Sequence, residues 1–523
     1  MATFLSSCRR KLIFMYKYII AFSLIISSFL ALAGEVIIEG KAPESAGKTI
    51  AVFIISDYIS EKRELMQAVE ISANGDFLLN FDVKETRVVL LSITRVEGLI
   101  YVEPGKTYHV NFPSEKTAEI KKFDRTQIEL GFENLPANDL NVLIRNFNAD
   151  FISFINKHFY DFAINEYSGS EAYLKAIGAK TQQSDLYKTA GKADSSKHAV
   201  ENGFSQVLTN FILDISSKYE QYYSIAYFED YVTYSIAELE LMAGKNRIAF
   251  YRDYFMSKSL RLQNPAYMRC FDIFYNNFLT NQSKEKQSSI AKAINVERNA
   301  DLLIAIFEGD STALSGQVRM LAVIKGLNEI YFNKNYSRGS IEQTLNSLGS
   351  DSKELKFVAD NVLSELRKCS EGWLLEDFTL VDQNEQKWRL SEHDDVTTYF
   401  LFFASWNNTA LKEMQIMKNL KEKYGKNVQF VAINMDDDYE TFKKYMQNNK
   451  EQKFTYLYAA GDPLITEKFN LRTIPHAVML DDSGHVMFSF TRKPSEGIQM
   501  DFDKIVQMSN QKQQGPKTWK DKN

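Results

Sequence analysis

The groups able to do chemistry in this sequence are a few thiols, a few imidazoles and one run of carboxylates. There are three cysteines, Cys8, Cys270 and Cys369, and six histidines in 523 residues. A thiol attacks or exchanges only as its thiolate, and Cys369, in "LRKCSEG", is the candidate reactive thiol, able in principle to form mixed disulfides. Cys270 and Cys369 could instead pair in a disulfide or remain buried thiols. His476 follows Pro475 and has the chemistry of a general base, but no second histidine, cysteine or assigned carboxylate accompanies it to orient the ring. Asp436, Asp437 and Asp438 form a cluster of metal-ligand type. Acids after a strand commonly cap the next helix, so capping and solvation is the reading adopted for them. His109, His158, His198, His393 and His485 are scattered without ligand spacing. No metal and no cofactor is therefore expected. A Gly-rich phosphate loop and a Gly-x-Ser-x-Gly elbow are both absent from the sequence.

The start of the chain sets the compartment. Arg9, Arg10, Lys11 and Lys17 precede the apolar run "YIIAFSLIISSFLALA", which ends in Ala31-Leu32-Ala33. A basic segment, an apolar core and a small-residue exit in that order predict a secretory signal over residues 1–33. The alternative is an uncleaved membrane anchor, since the run approaches bilayer-spanning length. Cleavage would remove Cys8 and four basic residues, leaving 58 Lys+Arg against 67 Asp+Glu, a net charge of −9. Such a balance argues against nucleic acid and anionic membrane as partners. The expected location is the periplasm.

Three patterns follow along the chain. Residues 34–115 alternate with period two in short runs such as "GDFLLNFDV" and "TRVVLLSIT", broken by the turns "SANGDF" and "EPGKTY", which predicts a small β-sandwich. Residues 116–370 change to helical spacing, as in Leu140, Leu143, Phe147, Phe151 and Phe154. Their Phe and Tyr stripes are assigned to packing rather than to an aromatic groove, and Ser168–Lys197 reads as loop-prone. Residues 371–509 run hairpin, strand, helix, strand: "EDFTLVDQNEQKWRLSE", "TTYFLFFASW", "TALKEMQIMKNLKEKYG", "VQFVAINMD". Two apolar strands flanking a helix imply a parallel βαβ unit. "TIPHAVMLDDSGHVMFSF" then predicts two antiparallel strands about an Asp-Ser-Gly turn, and residues 510–523 read as a disordered tail. The fold class is thus multidomain α+β, ending in an α/β domain.

"EDFTLVD", "FLFFASW", "LKEM" and "TIPHAVMLDDSGHV", in this order over about residues 371–508, resemble the thioredoxin superfamily, especially exported thiol:disulfide oxidoreductases of the TlpA and ResA type. "GDFLLNF" and "IYVEPGKTYHVNF" are similar to small β-sandwich domains of unknown function that precede such domains. The resemblance implies that Trp406 should precede a Cys-x-x-Cys motif at a helix start. The four matching positions are Asn407, Asn408, Thr409 and Ala410. An amide cannot attack a disulfide sulfur and alanine cannot resolve a mixed disulfide, so dithiol exchange at this site is excluded. Asn407 can instead cap the helix. Pro475 matches the family's cis-proline, which makes Ile474, Pro475 and His476 the loop beside the degenerate site.

These features lead to a thioredoxin-like protein without its redox dithiol, serving as a peptide- or protein-binding module of the cell envelope. One alternative is a thiol:disulfide oxidoreductase acting through Cys369. Another is an envelope ligand-binding scaffold using the sandwich or the helical section.

Overall fold

The structure, a computed structural model, describes residues 34–113, 126–158, 197–349, 352–393, 395–449, 454–459 and 462–513. The signal-type segment 1–33, residues 168–196 of the loop-prone stretch and residues 514–523 of the expected tail lie outside them.

Period-two alternation becomes β1 (Gly34–Lys41), β2 (Thr49–Ile55), β3 (Arg63–Glu70), β4 (Asp76–Val83), β5 (Arg87–Ile93), β6 (Val96–Val102), β7 (Thr107–Asn111), β8 (Thr126–Ile128) and β9 (Gly131–Phe132). They form two sheets, ordered β4-β1-β7-β9 and β3-β2-β5-β6-β8. In β4, Phe77, Leu79, Phe81 and Val83 are buried and the residues between them are exposed, so one face supplies core. Gly75 holds the turn before it at φ 84°, where an added Cβ would fall 2.5 Å from the Pro43 backbone. Strands β8 and β9 extend the sheets beyond residue 115, where the sequence reading ended the sandwich.

The middle section is helical among the described residues. Asp139 caps α1 (Leu140–Lys157) by accepting from the Asn141 N–H at 2.8 Å. The apolar residues picked out by spacing in α1 are buried, and the Phe147 ring meets those of Phe151, Tyr219, Phe228 and Tyr231. Each buried Phe contributes about 1.5–3 kcal/mol, which is why these stripes are core. The other helices are α2 (Lys197–Tyr219), α3 (Ala226–Met242), α4 (Arg247–Tyr254), α5 (Pro265–Phe274), α6 (Lys284–Lys292), α7 (Ala300–Ala305), α8 (Gly316–Glu329), α9 (Arg338–Asn346) and α10 (Lys353–Arg367).

The C-terminal part contains β10 (Thr379–Asp382), β11 (Lys387–Arg389), β12 (Thr398–Phe403), α11 (Asn408–Tyr424), β13 (Gln429–Asn434), α12 (Tyr439–Asn448), β14 (Thr455–Tyr458), α13 (Pro463–Lys468), β15 (His476–Leu480) and α14 (Gln499–Gln513). The sheet order is β11-β10-β14-β13-β12-β15, with β12, β13 and β14 parallel and β15 antiparallel to β12. Every residue of β12 is buried. Phe400 and Phe402 enter one core with Phe469, while Tyr399, Leu401 and Phe403 enter a second with Met414 and Phe502, so both sheet faces are covered. Helix α14 includes residues 510–513, which the sequence reading had placed in the tail.

Side chains tie the parts together. Asn141 forms two bonds to the Tyr101 backbone, 2.8 and 2.9 Å, and Asn361 donates to Asp57 at 2.9 Å, joining sandwich to helices. Arg95 and Arg63 reach from the sandwich to Asp437 and Glu467 of the α/β part.

Candidate functional site

Strand β12 delivers the chain to a strand-to-helix elbow at residues 404–407 and α11 carries it away. Asn407 is the N-cap of α11, its Oδ1 accepting from the Ala410 N–H at 3.0 Å. Its Nδ2 donates to the carbonyl of Ile474 at 3.0 Å. The Ile474–Pro475 peptide is cis. One neutral amide therefore satisfies a helix N–H and a loop carbonyl that are far apart in sequence. Trp406, Asn408 and Thr409 are exposed at the tip, whereas Ala410 is fully buried.

Each acid of the Asp436–Asp438 run has a separate task. Asp436 is buried, accepting from the Ser405 N–H at 2.9 Å and from Asn434 Nδ2 at 2.8 Å, which holds the elbow from behind. Burial pushes its carboxyl above the usual range. Asp437 takes both of its bonds, 2.6 and 2.7 Å, from Arg95 of the sandwich. Asp438 caps α12 by accepting from the Thr441 N–H at 2.7 Å. Solvation is therefore the wrong account of Asp436, which is buried with one hydrogen bond to each carboxylate oxygen. Among the described residues no group of three or more His, Cys, Asp or Glu side chains is placed to hold a metal.

His476 pairs in register with Phe402 on β12, and its ring lies 6.1 Å from that of Phe402. Burial, with a smaller contribution from Lys493, lowers its pKa to about 4. Among the described residues no carboxylate lies within ion-pair distance of it, so it carries a neutral imidazole with no group to orient it as a base.

The two thiols are free. Cys270 lies on α5 within the core of the helical section, and burial pushes its pKa well up. Cys369 is on the linker between α10 and β10, residues 368–378, at φ 56°, its Sγ donating to the Lys468 carbonyl at 3.4 Å. The disulfide weighed for them does not form, because one thiol is enclosed among helices and the other is engaged beside α13. Burial also pushes Cys369 up to about 11, the reverse of activation.

A cleft of about 800 Å³ separates the end of the helical section from β15. Cys369, Pro475 and His476 line it, together with Phe332 and Phe490. Sequence reasoning missed these two rings: an aromatic at helical spacing reads as core, and Phe490 falls where a strand was predicted. That strand does not form. After the Gly484 turn the chain makes two isolated bridges, Leu480 to Val486 and Leu374 to His485, while Val486 exchanges bonds with Gly372 and Trp373 of the linker. The linker thus takes the bonds of Val486, and the outgoing chain keeps only single contacts to β15, from Met487 and Thr491 to Met479.

A protein-family model described as thioredoxin-like matches residues 395–486. Comparison with curated proteins returned no match. Similar solved structures include a candidate thiol-disulfide oxidoreductase from Bacteroides vulgatus, at 21% identity over 26% of this chain and 98% of that one, TM-score 0.25. A candidate thiol:disulfide interchange protein DsbE from Chlorobium tepidum is 20% identical over 27% of this chain and 97% of its own, TM-score 0.24. The exposed lipoprotein thioredoxin of Streptococcus pneumoniae is 16% identical over 25% and 99%, TM-score 0.22. The C-terminal part of this chain is a thioredoxin-like α/β domain.

Proposed function

We propose that this is an exported, redox-inactive thioredoxin-fold protein that binds a polypeptide partner in the cell envelope. The observation that carries the reading is Asn407. At the position where the family's nucleophilic cysteine is expected, an amide occupies the helix N–H of Ala410 and the carbonyl of Ile474. That arrangement has no electron pair suited to attack on sulfur. The basic, apolar and small-residue order of residues 1–33 supports export to the periplasm.

The competing reading routes exchange through Cys369, and the burial of that thiol weighs against it. The test is the pH profile of iodoacetamide alkylation at Cys369 in the folded chain, followed by peptide mass spectrometry. The rate should climb only toward pH 11 and, at pH 8, fall roughly two-hundredfold below that of an ordinary thiol with pKa near 8.5. An inflection at or below pH 8.5 would refute the non-redox reading.

A further inference from the structure

We infer that the sandwich governs the order of the degenerate site: docked on the α/β part it fixes both the elbow and the loop before the cis-proline, and undocked it frees both. This rests on the polypeptide-binding reading above and gives that site a regulating part within the same chain.

A sheet with one face in water alternates buried and exposed residues, as β4 does. Strands β2 and β5 do not alternate: the central residues of β2 are all buried, and so is β5 from Val88 onward. Ile50, Val52 and Ile54 enter the sandwich core, whereas Ala51, Phe53 and Leu90 form a separate apolar patch on the opposite face. Leu464 of α13 packs against that patch, so the α/β part covers it. Two charged contacts accompany the patch. Arg95 binds both oxygens of Asp437, at 2.6 and 2.7 Å. Arg63, whose guanidinium also bonds to Glu97, reaches Glu467 of α13 at 3.7 Å, and Lys368 approaches the second Glu467 oxygen at 3.8 Å. A patch this small, set beside ion pairs, resembles a separable junction between domains more than a shared core.

Each charged contact lands beside one half of the site. Asp437 directly follows Asp436, which accepts from the Ser405 N–H at 2.9 Å and so holds the elbow. Helix α13 runs into the cis-proline loop, and the N–H groups of Asn470 and Leu471 still donate to the Glu467 and Thr466 carbonyls, at 3.1 and 2.9 Å. Asn407 then joins the two halves by donating to the Ile474 carbonyl at 3.0 Å. The contacts close a ring: Arg95 to Asp437, Asp436 to Ser405, Asn407 to Ile474, and Glu467 to Arg63. Only short stretches of backbone connect its members. The sandwich supplies both ends of the ring, so its docking is the two-state element that biases elbow and loop together.

The experiment is amide hydrogen exchange, read by mass spectrometry on residues 34–523 with no peptide added. Arg63→Ala/Arg95→Ala removes both charged contacts from the sandwich side. Asp437→Ala/Glu467→Ala removes them from the other side, where the carboxylates are partly exposed. In each pair exchange should quicken about tenfold or more at Ser405–Ala410 and at Phe469–Ile474. Leu321→Ala, which opens a cavity in the helical core, should leave both stretches at the wild-type rate. Unchanged exchange at either stretch in either pair would overturn the proposal, because the site would then keep its order without the sandwich. Quickening spread evenly through the chain, or matched in Leu321→Ala, would overturn it too, since the loosening would be general. Neither result bears on the reading above, which the alkylation profile of Cys369 tests separately.

Discussion

Asn407 stands where a helix start offers a free N–H and a nearby loop offers a carbonyl, and its amide meets both. Replacing it with alanine should remove the cap and strand the Ile474 carbonyl, lowering stability by about 1–2 kcal/mol in urea denaturation. Asn407→Ser should recover the capping share alone, because a hydroxyl accepts from the helix but cannot reach the loop. An alanine variant within about 0.3 kcal/mol of wild type would contradict this role. His476 makes a second prediction. Its folded pKa, about 4, lies below the ordinary value near 6.5, so the unfolded chain binds the proton more readily. Its contribution is complete above pH 6.5 and is lost as pH falls toward 4, on the order of 2–3 kcal/mol. Asp462 acts in the opposite sense: burial raises it to about 6, so what it contributes is present at low pH and lost as pH rises through 6. His476→Gln should therefore lose less stability than wild type between pH 7 and 4.5. Equal losses in the two proteins would show that the histidine is not held neutral by the fold. The capping role of Asn407 was legible from residue type and helix start. Its bond to Ile474 was not, since that partner is 67 residues away and only the folded sheet brings it near.

At the scale of elements, the loop after β13 converts one acidic run into three fixed contacts: elbow, sandwich and helix cap. Arg95 is nearly buried and Asp437 half-exposed, so the two ends of their ion pair differ in cost. Arg95→Ala should destabilise the chain by about 1–3 kcal/mol, since it also strips packing from the junction. Asp437→Asn should cost less, about 1 kcal/mol, as the amide oxygen still accepts from Arg95 and water reaches the half-exposed position. Urea denaturation of both variants checks the order, and a larger loss from Asp437→Asn would invert the account. Strand β12, helix α11 and the β10–β11 hairpin were readable because continuous apolar burial, helical spacing and alternation are local patterns. Strands β8 and β9 were not, being three and two residues long and defined by their neighbours rather than by their own composition. The missing strand after Gly484 failed for a related reason: its alternation is real, but the linker competes for Val486.

Across the whole molecule, the sandwich braces both other parts, through Asn141 and Tyr101 on one side and Arg95 and Asp437 on the other. Composition and periodicity revealed the three-part order, because each part has its own repeat of apolar residues. They could not reveal the cleft, which exists only where helical section, linker and β15 meet. The thioredoxin-like fold is present with Asn407 and Ala410 at the start of α11, so on the proposed reading loss of redox chemistry should be separable from loss of fold. The most direct measurement is thiol-driven insulin reduction by residues 34–523, beside Asn407→Cys/Ala410→Cys and Cys369→Ser. Wild type should match the background without protein, Cys369→Ser should be indistinguishable from it, and the double-cysteine variant should gain activity. Activity in wild type that disappears in Cys369→Ser would make Cys369 a displaced nucleophile and contradict the non-redox account.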